Sequence, residues 1–419
     1  MYFVSNYKFW YALTWLSCLI AYGFGWSELN VPLRGDLVTF LLLTVGVAVV
    51  LLILELGRNA GKSDQAAVEA LQVGRWSRGW VVSWVIVVGF VADFTYQGGI
   101  PFFSRQYSGF DITASVQATV GIPVFHVALI AGSIFFAMER ADRLVVSRSP
   151  QALMQFVMMI VMLLLNNSRG YVVFALLALL LLFAARKMAV RGRLNVRVIL
   201  LVGLGLLVVM YGVGVFGNIR SGFAWWDTSY INRIGRYQDD WPAVLSPQFQ
   251  WAYTYFTSPL GNLNLNLSLK PVGGNWLDTL LVLLPDPVAK YVVAERVSAT
   301  YQVSYLNATT GYTSAYYIGG GVLGMYVSFA MQLVALETAS WIAKRIGTAV
   351  LLTNVCSSVI VIVFVFYNSF SDAATCFLIP LALIAGLLRR RFLGRRGLQV
   401  AQAERGARHQ VGFVGKVRS

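Results

Sequence analysis

Long apolar runs separated by short polar turns fill the chain to about residue 217; a polar, aromatic-rich stretch then runs to 311, and apolar runs resume. Runs close to the length that crosses a hydrocarbon core, about 17 to 25 residues, fall at 9–25, 37–57, 79–100, 117–138, 151–165, 170–185, 198–217, 312–342, 348–367 and 373–388. They predict an all-α polytopic membrane protein with about ten transmembrane helices. The regions are helices one to seven over 1–217, a large extracytoplasmic loop over 218–311, helices eight to ten over 312–388, and a basic tail over 389–419. No soluble domain, low-complexity linker or clear internal repeat is visible.

Composition agrees with this plan. At 58% hydrophobic and 12% charged, with a mean hydropathy of +0.66, the chain is too apolar for a soluble domain. Basic residues resist export and mark cytoplasmic loops. Most of the 33 lysines and arginines fall on one side, and only Arg34, Arg105, Arg169, Arg220, Arg233, Arg236, Lys270, Lys290 and Arg296 fall on the other. Both termini are therefore expected in the cytoplasm, and 218–311 outside it. The net charge of +15 is largely this excess plus the tail, which suits anionic lipid headgroups or disorder and gives little support to a nucleic-acid partner. Cys18, Cys356 and Cys376 lie inside apolar runs and imply no disulfide framework. The first run lacks a small-residue cleavage site and reads as a retained helix.

Within the outer segment, Trp276 to Leu284 is apolar but too short to span, and Pro285 and Pro287 stop it; it reads as an interfacial or re-entrant helix. Asn262, Asn264 and Asn266 alternate with leucines, which fits a half-buried turn or strand. Gly319, Gly320, Gly321 and Gly324 open the eighth helix and permit close approach or a kink. The fifth and sixth runs are short. At about 1.5 Å per residue each reaches only part of a core about 30 Å thick, so the turn that carries Arg169 is expected below the outer surface. An arginine at that depth needs water or an anion, and reads as functional. Snorkelling and helix capping are the structural alternatives.

Two further groups stand near outer helix ends. Asp93 is followed by Gly98-Gly99-Ile100-Pro101, and its carboxylate can serve as a general base or pair with Arg105 or Arg169. His126 follows Gly121-Ile122-Pro123 and is either chemical or a hydrogen-bonded packing residue. The other histidine, His409, lies in the tail, so no histidine zinc site forms, and no hydrolase or nucleotide-binding motif occurs. No metal or cofactor is expected. Asp227, Asp239, Asp240 and Glu295 can bind a cation, act as bases or merely solvate the loop. Asn307 can bond a sugar or cap the next helix. Trp225, Trp226 and Tyr230 can stack on sugars or anchor at the interface, among arginines suited to phosphate.

The succession Asp93 to Pro101 (DFTYQGGIP), Gly121 to His126 (GIPVFH), Ser168-Arg169-Gly170 before a leucine-rich helix, a large outer loop, and Asn307 to Gly324 resembles the bacterial oligosaccharide repeat unit polymerases. These are the Wzy-type O-antigen and capsule polymerases. Where that family tends to carry Glu in the first motif, this chain has Asp93, the same charge on a shorter side chain. The resemblance implies a GT-C-like bundle in the bacterial inner membrane, with its active site facing the periplasm. It implies transfer of a growing glycan from undecaprenyl diphosphate to the nonreducing end of a lipid-linked repeat unit. Lipid-linked oligosaccharide would be both donor and acceptor, and a chain-length regulator a further partner. Arg169 with Arg220, Arg233 and Arg236 would hold the diphosphate; Asp93 or His126 would orient or deprotonate the acceptor; Trp225, Trp226, Tyr230 and Asn307 would hold sugar. The competing readings are an O-antigen ligase-like transferase and a transporter or flippase of lipid-linked glycans. Ligases of similar layout place a histidine in the large outer loop, and 218–311 contains none.

Overall fold

A computed structural model describes residues 4–59, 79–103, 121–122, 124–166, 169–191, 196–237, 241–269, 279–280, 284 and 309–391, without the side chains of residues 59, 169, 189–191, 197–199, 202 and 220. The elements are α1 (Tyr7–Gly23), α2 (Gly35–Asn59), α3 (Gly79–Tyr96), a 3-10 turn (Pro101–Phe103), α4 (Phe125–Ser147), α5 (Pro150–Leu165), α6 (Arg169–Arg191), α7 (Val196–Arg220), α8 (Ser229–Gly235), α9 (Phe249–Asn266), α10 (Gly311–Ile318), α11 (Val322–Ile346), α12 (Val350–Phe364) and α13 (378–391). Among the described residues there is no strand, only an isolated bridge between Ser27 and Tyr237. The described residues are thus all-helical. Four helices among those residues are long and apolar enough to cross a membrane: Gly35–Arg58, Gly79–Tyr96, Gly170–Met188 and Val322–Ile346. Shorter apolar helices cover Pro150–Leu165, Gly203–Ile219 and Val350–Phe364.

Local chemistry sets several ends. The Asn6 side chain accepts the Lys8 N–H at 2.9 Å and caps α1. Pro150 opens α5, where its missing N–H has no cost. Gly347, at φ +79°, closes α11. Two cores follow from packing. α4 lies against α5 and α6, with α3 beside α4 and α5, around Phe90, Ile134, Met159, Leu163 and Phe174. α1 lies against α2, α9 and α12 around Trp15, Phe40, Tyr312 and Phe364. α12 also packs on α6 and joins the halves.

One end of the bundle holds its buried charges in pairs. Lys8 is 4% exposed and meets Glu55 at 2.7 Å as well as Glu337, while Lys344 meets Glu55 at 3.3 Å. Arg140, 1% exposed, donates to Glu139 at 2.7 Å and to Gln155 at 3.1 Å. Arg186 makes a two-pronged bond to Asp142 at 2.8 and 2.6 Å.

Several sequence expectations change here. The run predicted at 117–138 is helical over Phe125–Ser147 among the described residues and continues past 138, because the paired Glu139, Arg140 and Asp142 let the helix run on through charge. The sixth helix is not short: α6 has 23 residues, or about 34 Å. It runs past Arg186 because Asp142 neutralises that residue. α5, at 16 residues, remains short, but helix length no longer places Arg169 below the surface. The run at 312–342 is two helices broken at Gly319–Gly321, with Gly320 at φ +78° and Gly321 at φ +93°. A methyl on Gly319 would lie 2.6 Å from the Ala315 carbonyl, so the close approach requires glycine. Asn262, Asn264 and Asn266 are buried on helix α9, not on a strand or turn. Of the interfacial helix expected over 276–284, only Thr279, Leu280 and Leu284 lie among the described residues.

Candidate active site

α3 and α4 are antiparallel neighbours, so the C-terminus of α3 meets the N-terminus of α4. Asp93 stands in the last turn of α3 and His126 is the second residue of α4. A carboxylate in a helix's last turn is opposed by the helix dipole, and three donors hold it. His126 Nδ1 lies 2.6 Å from Oδ2, Gln97 Nε2 donates to Oδ2 at 2.6 Å, and the Ile122 N–H donates to Oδ1 at 2.8 Å. Asp93 is wholly buried and His126 7% exposed. Where the carboxylate is ionised and the imidazole neutral, Nδ1 is the nitrogen that donates to it and Nε2 is left as the acceptor. Among the described residues Nε2 has no partner.

The turn into α4 is shaped around this pair. A methyl on Gly121 would lie 2.4 Å from Asp93 Oδ1 and 2.5 Å from His126 Nδ1, so only glycine fits there. Val124, at φ +66°, sits in backbone that β-branched residues rarely adopt. It delivers His126 to the helix, whose N–H closes on the Ile122 carbonyl at 2.9 Å. Sequence reasoning held Asp93 and His126 as alternatives; the structure makes them one unit. It missed Gln97, Gly121 and the Ile122 N–H. The spacing of Gln97, four residues after Asp93 on one helix face, was the available signal for the first of these.

Arg169 is the first residue of α6, at the same end, because α4 and α6 run parallel with α5 between them. Arg220 is the last residue of α7. Arg233 is exposed on α8, with its guanidinium 5.8 Å from the centre of the Tyr230 ring. Arg236 is exposed at the α8 C-terminus at φ +46°, and its carbonyl accepts the Glu28 N–H at 3.2 Å. Among the described residues neither Arg233 nor Arg236 has a carboxylate partner. Trp225 and Trp226 are exposed and stand edge to face, 5.3 Å apart. Tyr230 is different. It is buried, stacked on Trp251 at 6.1 Å and packed on Phe223. Asp227 accepts the Ser229 N–H at 2.9 Å, and this bond holds its carboxyl below the usual range. Arg105, Asp239, Asp240, Glu295, Arg296 and Asn307 lie outside the described residues. Thr310, not Asn307, caps α10 through the Tyr312 N–H.

Among the described residues that follow α7, helices α8 and α9 fold onto this end as a layer. α9 packs on α7, α1, α8 and α10, and Gly217 of α7 leaves no room for a methyl beneath Trp251. Trp251 Nε1 donates to Asn218 at 2.6 Å. Phe24, Trp26, Tyr237, Trp241 and Tyr253 form one ring cluster, with Trp26 stacked on Phe24 at 4.7 Å and edge-on to Trp241 at 5.4 Å. Comparison of the chain with protein-family models, with curated proteins and with solved structures finds no match.

Proposed function

We propose that this protein polymerises lipid-linked oligosaccharide repeat units at the periplasmic face of a bacterial inner membrane, as a GT-C-like bundle of about ten transmembrane helices. Both termini are cytoplasmic in this reading, from the distribution of basic residues. The observation that carries it is the convergence of two motifs, Asp93 to Pro101 and Gly121 to His126, on one buried carboxylate–imidazole pair at 2.6 Å.

That pair suits proton abstraction from a sugar hydroxyl. The acceptor O–H gives its proton to His126 Nε2 while its oxygen bonds to the anomeric carbon of the growing glycan. The bond from that carbon to the diphosphate breaks, and undecaprenyl diphosphate leaves with the electron pair. Asp93 fixes the tautomer and balances the imidazolium. Arg169, with Arg220, Arg233 and Arg236, supplies positive charge for the leaving group. The exposure of Arg233 and Arg236 and their lack of carboxylate partners among the described residues support this role. Trp225 and Trp226 offer open ring faces for sugar.

The test is elongation of lipid-linked repeats by the purified full chain. His126→Ala, Asp93→Asn and Arg169→Ala should each lower turnover by on the order of 10² to 10³, the effect of a lost base or a lost charge-assisted donor. Arg169→Lys should recover only part, since an ammonium cannot form the guanidinium fork. Excess EDTA should leave elongation intact. Wild-type turnover in both His126→Ala and Asp93→Asn would remove the pair from the chemistry.

A further inference from the structure

Between α12 and α13 the chain leaves the helix for residues 365–377, where the apolar pattern predicts only a short turn. This segment carries Asn368, Ser369, Ser371, Asp372 and Thr375 and is folded inward. Ser369 and Thr375 are wholly buried and Ser371 nearly so. Irregular backbone inside a membrane bundle persists only where protein satisfies its polar groups, and here its serine, threonine and aspartate side chains do so in part, within the segment and to α12. Ser369 Oγ donates to the Ile360 carbonyl at 2.7 Å, and Thr375 Oγ1 to the Ser369 carbonyl at 2.6 Å. Asp372 Oδ1 accepts the Thr375 N–H at 2.9 Å and the Ala374 N–H at 3.2 Å. The turn is thereby tied to α12, and its carboxylate is fixed in direction.

The second oxygen of Asp372 points across the bundle. Asp372 Oδ2 accepts the Tyr171 hydroxyl at 2.9 Å, across 201 residues of sequence. Tyr171 is the third residue of α6, two after Arg169, and its ring packs on Phe174 at 6.4 Å. A helix's first turn lacks half of its internal hydrogen bonds and frays most readily. A carboxylate at that end is also favoured by the dipole.

We infer that Asp372 is a positioning residue: through the Tyr171 hydroxyl it fixes the first turn of α6 and thereby the arginine that begins that helix. This rests on the diphosphate-holding role given above to Arg169. Small displacements of a charge from a developing anion cost large factors in rate, about a hundredfold for 1 Å. A tether at the first turn is therefore worth more to turnover than to folding.

The experiment measures elongation by the purified full chain with Tyr171→Phe, Asp372→Asn, Arg169→Ala and the double variant Tyr171→Phe/Arg169→Ala. Tyr171→Phe keeps the ring and removes one oxygen, so it folds even if Asp372→Asn, which also breaks the turn, does not. Turnover of Tyr171→Phe should fall by roughly tenfold to a hundredfold with unchanged KM, and Tyr171→Phe should cost nothing further once Arg169 is gone. Wild-type turnover in Tyr171→Phe, or the same loss with and without Arg169, would overturn the inference while leaving the proposed function standing. Wild-type turnover in Arg169→Ala would overturn the diphosphate role first, and the inference with it.

Discussion

The two ends of the bundle treat charge in opposite ways. At one, Lys8, Arg140 and Arg186 are buried, and each faces a carboxylate at bonding distance. At the other, Arg233 and Arg236 are exposed and, among the described residues, face none, while the buried carboxylate Asp93 is held by an imidazole whose second nitrogen is open. A buried charge that serves the fold arrives with its neutralising partner, since an unpaired one is too unfavourable to keep. A cation left without one is available to an anion from outside. The comparison separates fold from chemistry more sharply than burial does, because both ends contain buried titratable groups.

The largest effect should come from breaking the paired end. Arg140→Met leaves Glu139 buried with only Arg389, at 3.5 Å, and strips Gln155 of its donor. Removing one partner of a buried pair costs roughly 3 to 5 kcal/mol. Thermal stability of the solubilised protein should drop accordingly, while turnover per folded molecule stays near wild type. Glu139→Gln/Arg140→Met should regain much of the loss, because no lone charge remains. A turnover defect exceeding the stability defect would show that this end also serves the reaction.

A smaller and more selective effect should follow at the other end. Gly121 has no positive φ, so Gly121→Ala is free of backbone strain. Its new methyl must nonetheless displace Asp93 Oδ1 or His126 Nδ1, which it would meet at 2.4 and 2.5 Å. Turnover per folded molecule should fall by about 10², and displacing the buried pair should cost roughly 1 to 3 kcal/mol of stability. Equal turnover in Gly121→Ala and wild type would show that the reaction tolerates a loosened pair.

How much of this was legible in the chain follows from what each signal measures. Apolar run length located most of the long helices because it is set by a single segment, but it passed over α9, whose 18 residues mix apolar and polar side chains. It failed for the extent of α4 and α6, which continue through charge only because Arg140 meets Glu139 and Arg186 meets Asp142. The alternation at Asn262 to Asn266 suggested a half-buried turn or strand because the rule assumes one wet face. α9 has neighbours all round: Asn264 accepts the Arg34 N–H and donates to the Pro32 carbonyl, and Asn266 donates to the Asn262 carbonyl. Asp93 and His126 were each found from type and position, but their pairing spans 33 residues and depends on the turn at Gly121, which no local pattern announces. The Tyr171–Asp372 bond, across 201 residues, was beyond any spacing rule.

The smallest effect concerns the layer that α8 and α9 form against α7 and α1. Tyr237 donates its hydroxyl to the Gln250 carbonyl at 2.7 Å and also meets Thr254, while its ring stands edge-on to Trp241 at 5.3 Å. Tyr237→Phe keeps the ring and loses the bond, worth about 1 kcal/mol, so limited proteolysis of the segment after α7 should quicken modestly while α1–α7 remain protected. Alkaline pH should act on the same contact. Burial pushes the Tyr237 phenol well above its ordinary value, so in the docked layer it keeps its proton. Once the layer detaches, the phenol ionises above about pH 10. The detached state then binds fewer protons, and the layer's stability falls as pH rises past that point. Between pH 8 and 9 proteolysis should be unchanged, and above pH 10 it should accelerate. Tyr253, raised by burial too, leaves a residue of this dependence, so Tyr237→Phe should flatten the alkaline rise without abolishing it. An alkaline rise of full size in Tyr237→Phe would mean that another group docks the layer, and that contacts other than this ring cluster hold it.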